Sequence, residues 1–305
     1  MAAMSKRLVG GIVAIVLLAG LLPIVSTSQA DTGVVRVMIA GALASPSGTS
    51  GDGQITLRIG VSLPVSLVSD GAVVPGSIGT ATFAQWSDTM PSAGFGPSST
   101  LMVFRLGGGL TLVAGGIATP SGFVTTISAT TPFDTLSGTW TLAGGTGVTG
   151  AGAGDAVVTF TFDTNPHITV SGVVSFVASV ALSSGVNGSI PGVASVGVVR
   201  NVPVFEVVGN AKGAHVGTVT TYSASNIVGH ASEAVDLNAI DFGGGRFVLS
   251  GCVFPDSLTA CLVGATGPVA HLSGHVASFP GESSIGVIAG VTVSDLILKL
   301  TGSLP

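Results

Sequence analysis

Apolar and polar side chains alternate along much of the chain. From Ile55 to Leu63 every odd-numbered residue is apolar, and from Val158 to Phe162 every even-numbered one is. A period of two sends successive side chains to opposite sides of an extended backbone, so both segments are predicted to be half-buried strands. Runs of β-forming residues predict two further strands, beginning at Phe247 and at Leu296.

Clusters of glycine, serine, proline and asparagine separate these segments and are typical of turns. The pattern contains no convincing helix, although a short one between Ala231 and Ala239 is an alternative. Many short strands without helices predict a β-sandwich or a closed β-barrel. We therefore expect an all-β fold with at least about 40% strand and less than about 10% helix.

Three sequence blocks occur twice in the same order. Ile78–Thr82 resembles Val216–Thr220, Leu106–Gly115 resembles Phe242–Gly251, and Leu142–Gly147 resembles Leu262–Gly267. The displacements are 138, 136 and 120 positions. This order predicts two copies of one domain, and the alternative is chance similarity in a chain with 47 glycines.

The first thirty residues have the composition of a secretory signal peptide. Lys6 and Arg7 precede an apolar run from Leu8 to Val25, and small polar residues lead to Ala30. We expect cleavage after Ala30 and a secreted protein, extracellular or at the cell surface. The alternative is an uncleaved anchor, because the run is about long enough to span a bilayer. After cleavage we expect no stable membrane insertion.

Charge excludes one class of partner. Removal of Lys6 and Arg7 leaves 7 basic residues against 14 acidic ones, a net charge of −7. Nucleic acid is therefore not an expected partner, since its recognition depends on basic residues. Only 8% of the residues are charged and 46% are hydrophobic, which favours a large core over charged amphipathic helices.

Cys252 and Cys261 are the only cysteines of the chain. The turn signal Pro255-Asp256 lies between them, so they can face each other across a hairpin. An exported chain meets an oxidising compartment, and a disulfide is the favoured interpretation. A zinc site would need further ligands that this hairpin does not offer.

One segment carries a family resemblance. Gly138–Gly147, which closes on Gly150 and Gly154, resembles the strand-and-turn signature of the dirigent and allene oxide cyclase-like β-barrels. Elements of the second copy follow the same family order: Val204–Val207, Gly217–Thr220, Asp241–Gly245 and the closing strand near Leu296–Leu300. The resemblance implies that each half is an eight-stranded antiparallel barrel.

The expected fold is therefore all-β, with two antiparallel β-barrels of the dirigent/allene oxide cyclase-like type. The signal peptide occupies residues 1–30 and the first barrel residues 31–165. A connecting segment, 166–194, is expected to pair with one of the barrels, and the second barrel occupies 195–305.

Glu206 is the candidate catalytic residue. It interrupts the apolar strand Val204–Val208, where the resemblance implies an acidic residue at the cavity. A carboxyl group inside an apolar barrel is desolvated, which raises its pKa, and it could protonate or polarise a hydrophobic substrate. The alternative is a solvent-facing Glu206, because the first copy has Val68 at the position 138 residues earlier.

Other motifs predict no cofactor and no metal. Gly145–Gly150 fits the glycine spacing of a dinucleotide site, but it leads into a strand rather than a helix. His271 and His275 would lie about 13 Å apart on a strand, too far for one metal ion. The sequence contains no Gly-x-Ser-x-Gly elbow, so nothing local marks a hydrolase.

The expected function is binding of a small apolar molecule, and the resemblance adds guided cyclisation or coupling without a cofactor, as by a cyclase or isomerase. The alternative is a non-enzymatic structural protein of the cell surface or extracellular matrix. A hollow barrel with a polar residue inside favours the first, and barrels filled with side chains favour the second.

Overall fold

The computed structural model describes residues 33–45, 47–129, 138–162, 173–179, 186–190, 193–208, 211–227, 230–254, 261–265, 273–278 and 295–301. Strands account for 70% and helices for 4%, so the expected all-β class is confirmed. The segment in which a short helix was an alternative, Ala231 to Ala239, lies inside a strand. The expected signal peptide, 1–30, lies outside the described residues.

The first sheet contains ten strands within the described ranges: β1 (Val34–Ile39), β2 (Ser47–Thr49), β3 (Ile55–Ser69), β4 (Ala72–Val73), β5 (Gly79–Asp88), β6 (Ser98–Leu106), β7 (Thr111–Thr119), β8 (Gly122–Ala129), β9 (Gly138–Gly144) and β10 (Ala156–Phe162). Eight of them pair antiparallel in the order β1-β10-β9-β8-β7-β6-β5-β3, and β3 pairs again with β1. This ring is a closed eight-stranded barrel. Two short 3-10 helices, Ala42–Ala44 and Gly107–Gly109, lie in its loops.

The second sheet contains nine described strands: β11 (Val173–Ser179), β12 (Val186–Ile190), β13 (Val193–Val208), β14 (Ala211–Ile227), β15 (His230–Asp241), β16 (Phe247–Phe254), β17 (Cys261–Ala265), β18 (Ser273–Ser278) and β19 (Asp295–Thr301). Their order is β11-β19-β18-β17-β16-β15-β14-β13-β12, and β11 also pairs with β13. The expected connecting segment, 166–194, therefore contributes β11 and β12 to this sheet.

The strand orders of the two sheets correspond when β11 is matched with β1, β13 with β3 and β14 with β5. The first two repeated blocks then fall on matching strands. The third does not, because Leu142 lies in β9 whereas Leu262 lies in β17, the counterpart of β8. The predicted equivalence of that block is wrong.

The long strand of each sheet, β3 in the first and β13 in the second, contains a bulge at the corresponding place. The register of β3 against β5 shifts between Gly60 and Leu63, and that of β13 against β14 shifts between Val199 and Val202. Ser62 and Asn201 lie inside these bulges with φ of 54° and 56°. Both angles are in the left-handed region, which non-glycine residues rarely adopt.

Because of the bulge in β3, the alternation predicted from Ile55 to Leu63 does not hold over the whole segment. Ile55, Leu57 and Ile59 pack on the outer face of the barrel, whereas Leu63 packs against the inner cluster. One extra residue in a strand moves the following side chains to the opposite face. The alternation from Val158 to Phe162 is regular, and its even-numbered residues face inward as expected.

Side chains fill the inner face of the first barrel. They form one buried cluster: Val37, Ile39, Ala42, Val65, Ala81, Phe83, Met102, Phe104, Leu112, Ala114, Ile127, Trp140, Ala156, Val158, Phe160 and Phe162. The ring centroids of Phe104 and Phe160 are 5.2 Å apart in an edge-to-face contact, and the Trp140 indole N–H donates to the Gly115 carbonyl at 3.0 Å. This interior is a packed core, as small barrels commonly have.

A second core lies between the two sheets. It joins buried residues of β3, β5, β6 and β7 with residues of β13 to β16, among them Trp86, Leu101, Tyr222, Leu237 and Leu249. A Cβ atom at Gly251 would lie 2.7 Å from the Val113 side chain, so the glycine permits this close approach. The outer faces of the two sheets therefore pack directly against each other.

We expect Cys252 and Cys261 to form a disulfide. Gly251 of β16 pairs with Leu262 of β17, and continuing this register by one residue sets the two cysteines opposite each other. Thiol labelling of the unfolded, exported protein, followed by mass spectrometry, should add no label without reductant and two labels after reduction. Cys252→Ser is the control and should show one free thiol throughout. Two labels before reduction would contradict the pairing.

Candidate functional site

The second sheet has an inner face that differs from that of the first. Val235, Leu237 and Ala239 of β15 belong to the core between the sheets, so the alternate residues Asp236 and Asn238 lie on the opposite, inner face. The same alternation in β14 and β16 places further polar side chains there. We call this set the polar row: Thr221, Ser223, Asp236, Asn238 and Ser250.

Three members of the polar row form a hydrogen-bonded chain across adjacent strands. Thr221 Oγ1 donates to Asn238 Oδ1 at 2.8 Å, and Asn238 Nδ2 donates to Ser250 Oγ at 3.3 Å. Asn238 is 2% exposed and Ser250 is fully buried. These hydrogen bonds compensate for burying polar groups and hold the amide in one orientation.

The first barrel has apolar residues at the matching positions. In the second sheet Asn238 pairs with Thr221 on one side and with Ser250 on the other. In the first barrel Met102 takes the place of Asn238, and it pairs with Phe83 and Ala114. Phe83 and Met102 are fully buried in the filled interior of the first barrel. Shorter polar side chains therefore stand in the second sheet where large apolar ones occupy the first.

Asp236 extends the polar row by one step along β15. It pairs with Ser223 of β14 and with Cys252 of β16. Part of its surface is exposed, yet desolvation raises the pKa of its carboxyl group from 3.8 to about 7. The strands β14 and β16 flank Asp236 on both sides and account for this desolvation.

Glu206 lies in β13 and is half-buried. Glu206 pairs with Phe176 of β11. Two residues earlier in β13, the fully buried Val204 pairs with Ala178 of β11. Glu206 and Val204 therefore share a face of the β11–β13 pair. The catalytic role assigned to Glu206 from the sequence stays a prediction.

The structure does not bring Glu206 and Asp236 together along the strands. Glu206 lies next to the pair of Phe205 with His215 in β14, whereas Asp236 pairs with Ser223 of the same strand. His215 and Ser223 are eight residues apart, which corresponds to about 26 Å of extended chain. The two acids therefore belong to different ends of the second sheet.

A buried ion pair joins the two sheets on the face of β14 opposite the polar row. Arg200 donates to both carboxylate oxygens of Asp88, at 2.8 and 2.6 Å, and the Tyr222 hydroxyl donates to Asp88 Oδ2 at 3.4 Å. Asp88 is 1% exposed and Arg200 16%. Burial, and then the charge of Asp88, raises the pKa of Tyr222 far above its usual range. The geometry indicates a structural joint, because every charged group in it is already paired.

The remaining sequence motifs add no second site. Gly145–Gly150 lies between β9 and β10, so it does not open a helix. His271 lies outside the described residues, and the backbone of His275 lies in β18. In the part of the chain that the structure describes, no three His, Cys, Asp or Glu side chains group as metal ligands, and no helix is long and apolar enough to span a membrane.

Comparison with known proteins gives no match, whether against protein-family models, curated proteins or solved structures.

Proposed function

We propose that this is a secreted protein of two dirigent/allene oxide cyclase-like barrels, and that the second barrel binds one small molecule. The second sheet closes in this proposal through β11 and β13, for which three residue pairs are present. The corresponding strands β1 and β3 close the first barrel, which supports the assignment. The repeated strand order supports a duplication as the origin of both halves.

The observation that carries the proposal is the difference between the two inner faces. Phe83 and Met102 fill the first interior, whereas Thr221 and Asn238 stand at these positions in the second. An eight-stranded barrel has room for its own side chains or for one small ligand. At the described positions of this level the second sheet carries shorter side chains, which supports the second barrel as the one with space for a ligand.

Apolar residues surround the polar row. Val204, Val219, Ile240 and Val248 are fully buried on the inner face of the second sheet. Apolar lining with a few hydrogen-bonding groups is typical of small-molecule sites. The ligand therefore has a largely apolar body and one polar group. Cyclisation or coupling without a cofactor would use Glu206 as the acid, and this part of the proposal depends on the family resemblance.

A dye titration tests the proposal. The mature protein should bind N-phenyl-1-naphthylamine at one site, with a rise in fluorescence. Thr221→Phe combined with Asn238→Met introduces the side chains of the first barrel and should lower the affinity at least about tenfold, because they occupy the ligand volume. Glu206→Gln should keep dye affinity, since it removes a proton donor and no apolar lining.

The matched control for this titration is Thr161→Phe combined with Thr139→Met. These two exposed residues also pair across adjacent strands, but they lie on the outer surface of the first barrel. The control should bind dye as the wild type does. Absence of binding by the wild type, or unchanged binding by the variant with the filled interior, would contradict the proposal.

The alternative is a non-enzymatic structural protein of the cell surface or matrix. The filled first barrel and the core shared between the sheets favour it, because both serve stability without leaving a cavity. The low charge of the chain, 8% of residues, is equally compatible with such a role. A wild-type protein that binds no dye would favour this alternative.

A further inference from the structure

We propose that the ligand of the second barrel carries a basic nitrogen, which pairs with the carboxylate of Asp236. This inference rests on the proposed function and specifies its ligand: an apolar body with one protonated amine. The feature that supports it is a desolvated acid whose described neighbours include no cation.

The residues next to Asp236 on the inner face are uncharged. Ser223 and Cys252 pair with it from the adjacent strands, and Asn238 and Ala234 are the nearest residues of its own strand on that face. None of them is a lysine or an arginine. A carboxylate removed from water is unfavourable unless it is paired, so a cation that enters the site would gain a strong partner.

Both arginines of the second sheet have other hydrogen-bond partners. Arg200 donates to Asp88 and to Gln54 on the opposite side of the sheet. Arg246, at the turn after β15, donates to the carbonyl oxygens of Gly243 and Phe242. Neither of these two arginines is therefore placed to pair with Asp236, and in this proposal the ligand supplies the opposite charge.

The rest of the polar row fits the same ligand. Asn238 uses its amide oxygen for Thr221 and its amide nitrogen for Ser250, which leaves the Thr221 oxygen as an acceptor. Acceptors suit a donor-rich ammonium group, and Asp236 would repel a carboxylate or phosphate. Asp236 and Asn238 are about 6.6 Å apart along one face of β15, within the reach of one small molecule.

Two probes of nearly identical shape test the inference. Calorimetric titration at pH 8 compares 1-naphthylmethylamine, a cation, with the neutral 1-naphthylmethanol. The amine should bind at least about tenfold more tightly to the mature wild-type protein, and this preference should disappear in Asp236→Asn. Asp70→Asn, in an exposed turn, is the control and should keep the preference.

A pH series on the wild type gives a second readout that needs no variant. The pKa of Asp236 is about 7, so the carboxylate that the amine requires becomes roughly tenfold more populated between pH 6 and pH 8. A primary alkyl amine stays protonated across this range. Amine affinity should therefore rise about tenfold while alcohol affinity stays constant. Loss of this rise in Asp236→Asn would assign the pH dependence to Asp236.

The outcomes separate the two proposals. If neither probe binds, the proposed binding function is wrong. If both bind equally well, the barrel binds small molecules but the inference about the amine is wrong. A preference for the amine that persists in Asp236→Asn would also overturn the inference, because the cation would then be recognised elsewhere.

Discussion

Replacing Asp236 with asparagine is expected to stabilise the protein at pH 8 and to have little effect near pH 4. Desolvation raises the pKa of this carboxyl group in the folded state from 3.8 to about 7. The folded protein therefore holds the Asp236 proton more tightly than the unfolded chain does. Wild-type stability falls as the pH rises from about 4 to about 7, and then levels off.

The full effect of Asp236→Asn is at most on the order of 4 kcal/mol, because each pKa unit corresponds to about 1.4 kcal/mol. Urea unfolding of the wild type and the variant at pH 4, 5.5, 7 and 8.5 measures it. The two stability curves should diverge with rising pH. Asp70→Asn, at an exposed turn, should follow the wild type. Parallel curves for Asp236→Asn would mean that solvent reaches the carboxyl group freely.

Loss of the ion pair between Asp88 and Arg200 should lower the free energy of unfolding by an amount similar in size to the effect of Asp236→Asn. Asp88→Ala leaves the largely buried Arg200 guanidinium without its carboxylate and removes the acceptor of the Tyr222 hydroxyl. It also removes the acceptor of the Met90 backbone N–H, which donates to Asp88 Oδ1 at 2.8 Å. Breaking one side of a buried ion pair typically costs about 3–5 kcal/mol, and we expect this range.

A double-mutant cycle tests the coupling. Arg200→Met alone leaves Asp88, which is 1% exposed, without a cation and should also be strongly destabilising. The variant that lacks both groups should cost clearly less than the sum of the single changes, because no unpaired charge is left buried. Asp52→Ala, in an exposed turn, is the control and should be much less destabilising than either single change. Strict additivity would show that the two groups do not stabilise each other.

The strands were predictable where one face is apolar throughout. Phe160 and its alternate neighbours show this, because their side chains stay on one side of β10. The alternation of β3 was predictable only as far as Val61. No sequence signal marks Ser62 as a bulge residue, since serine has no local preference for the left-handed φ that it adopts there.

The polar row was missed for a related reason. In β15 the residues Asp236 and Asn238 alternate with Val235, Leu237 and Ala239, a pattern that normally predicts a strand with one solvent-facing side. Here the apolar side packs against another sheet, so the polar side becomes the inner face. Glu206 stands out in the sequence because it interrupts an apolar run, whereas Asp236 does not.

The bulges at Ser62 and Asn201 also affect how such a chain can evolve. Each bulge moves the following side chains of a long strand to the opposite face. In β3 the first half therefore contacts the other sheet, and the second half faces the interior of the first barrel. A substitution in one half of the strand therefore leaves the packing contacts of the other half unchanged. The contents of a barrel can change while the joint between the sheets is conserved. The two halves differ in this manner: Leu101 and Leu237 are both apolar at the joint, while Met102 and Asn238 beside them differ inside.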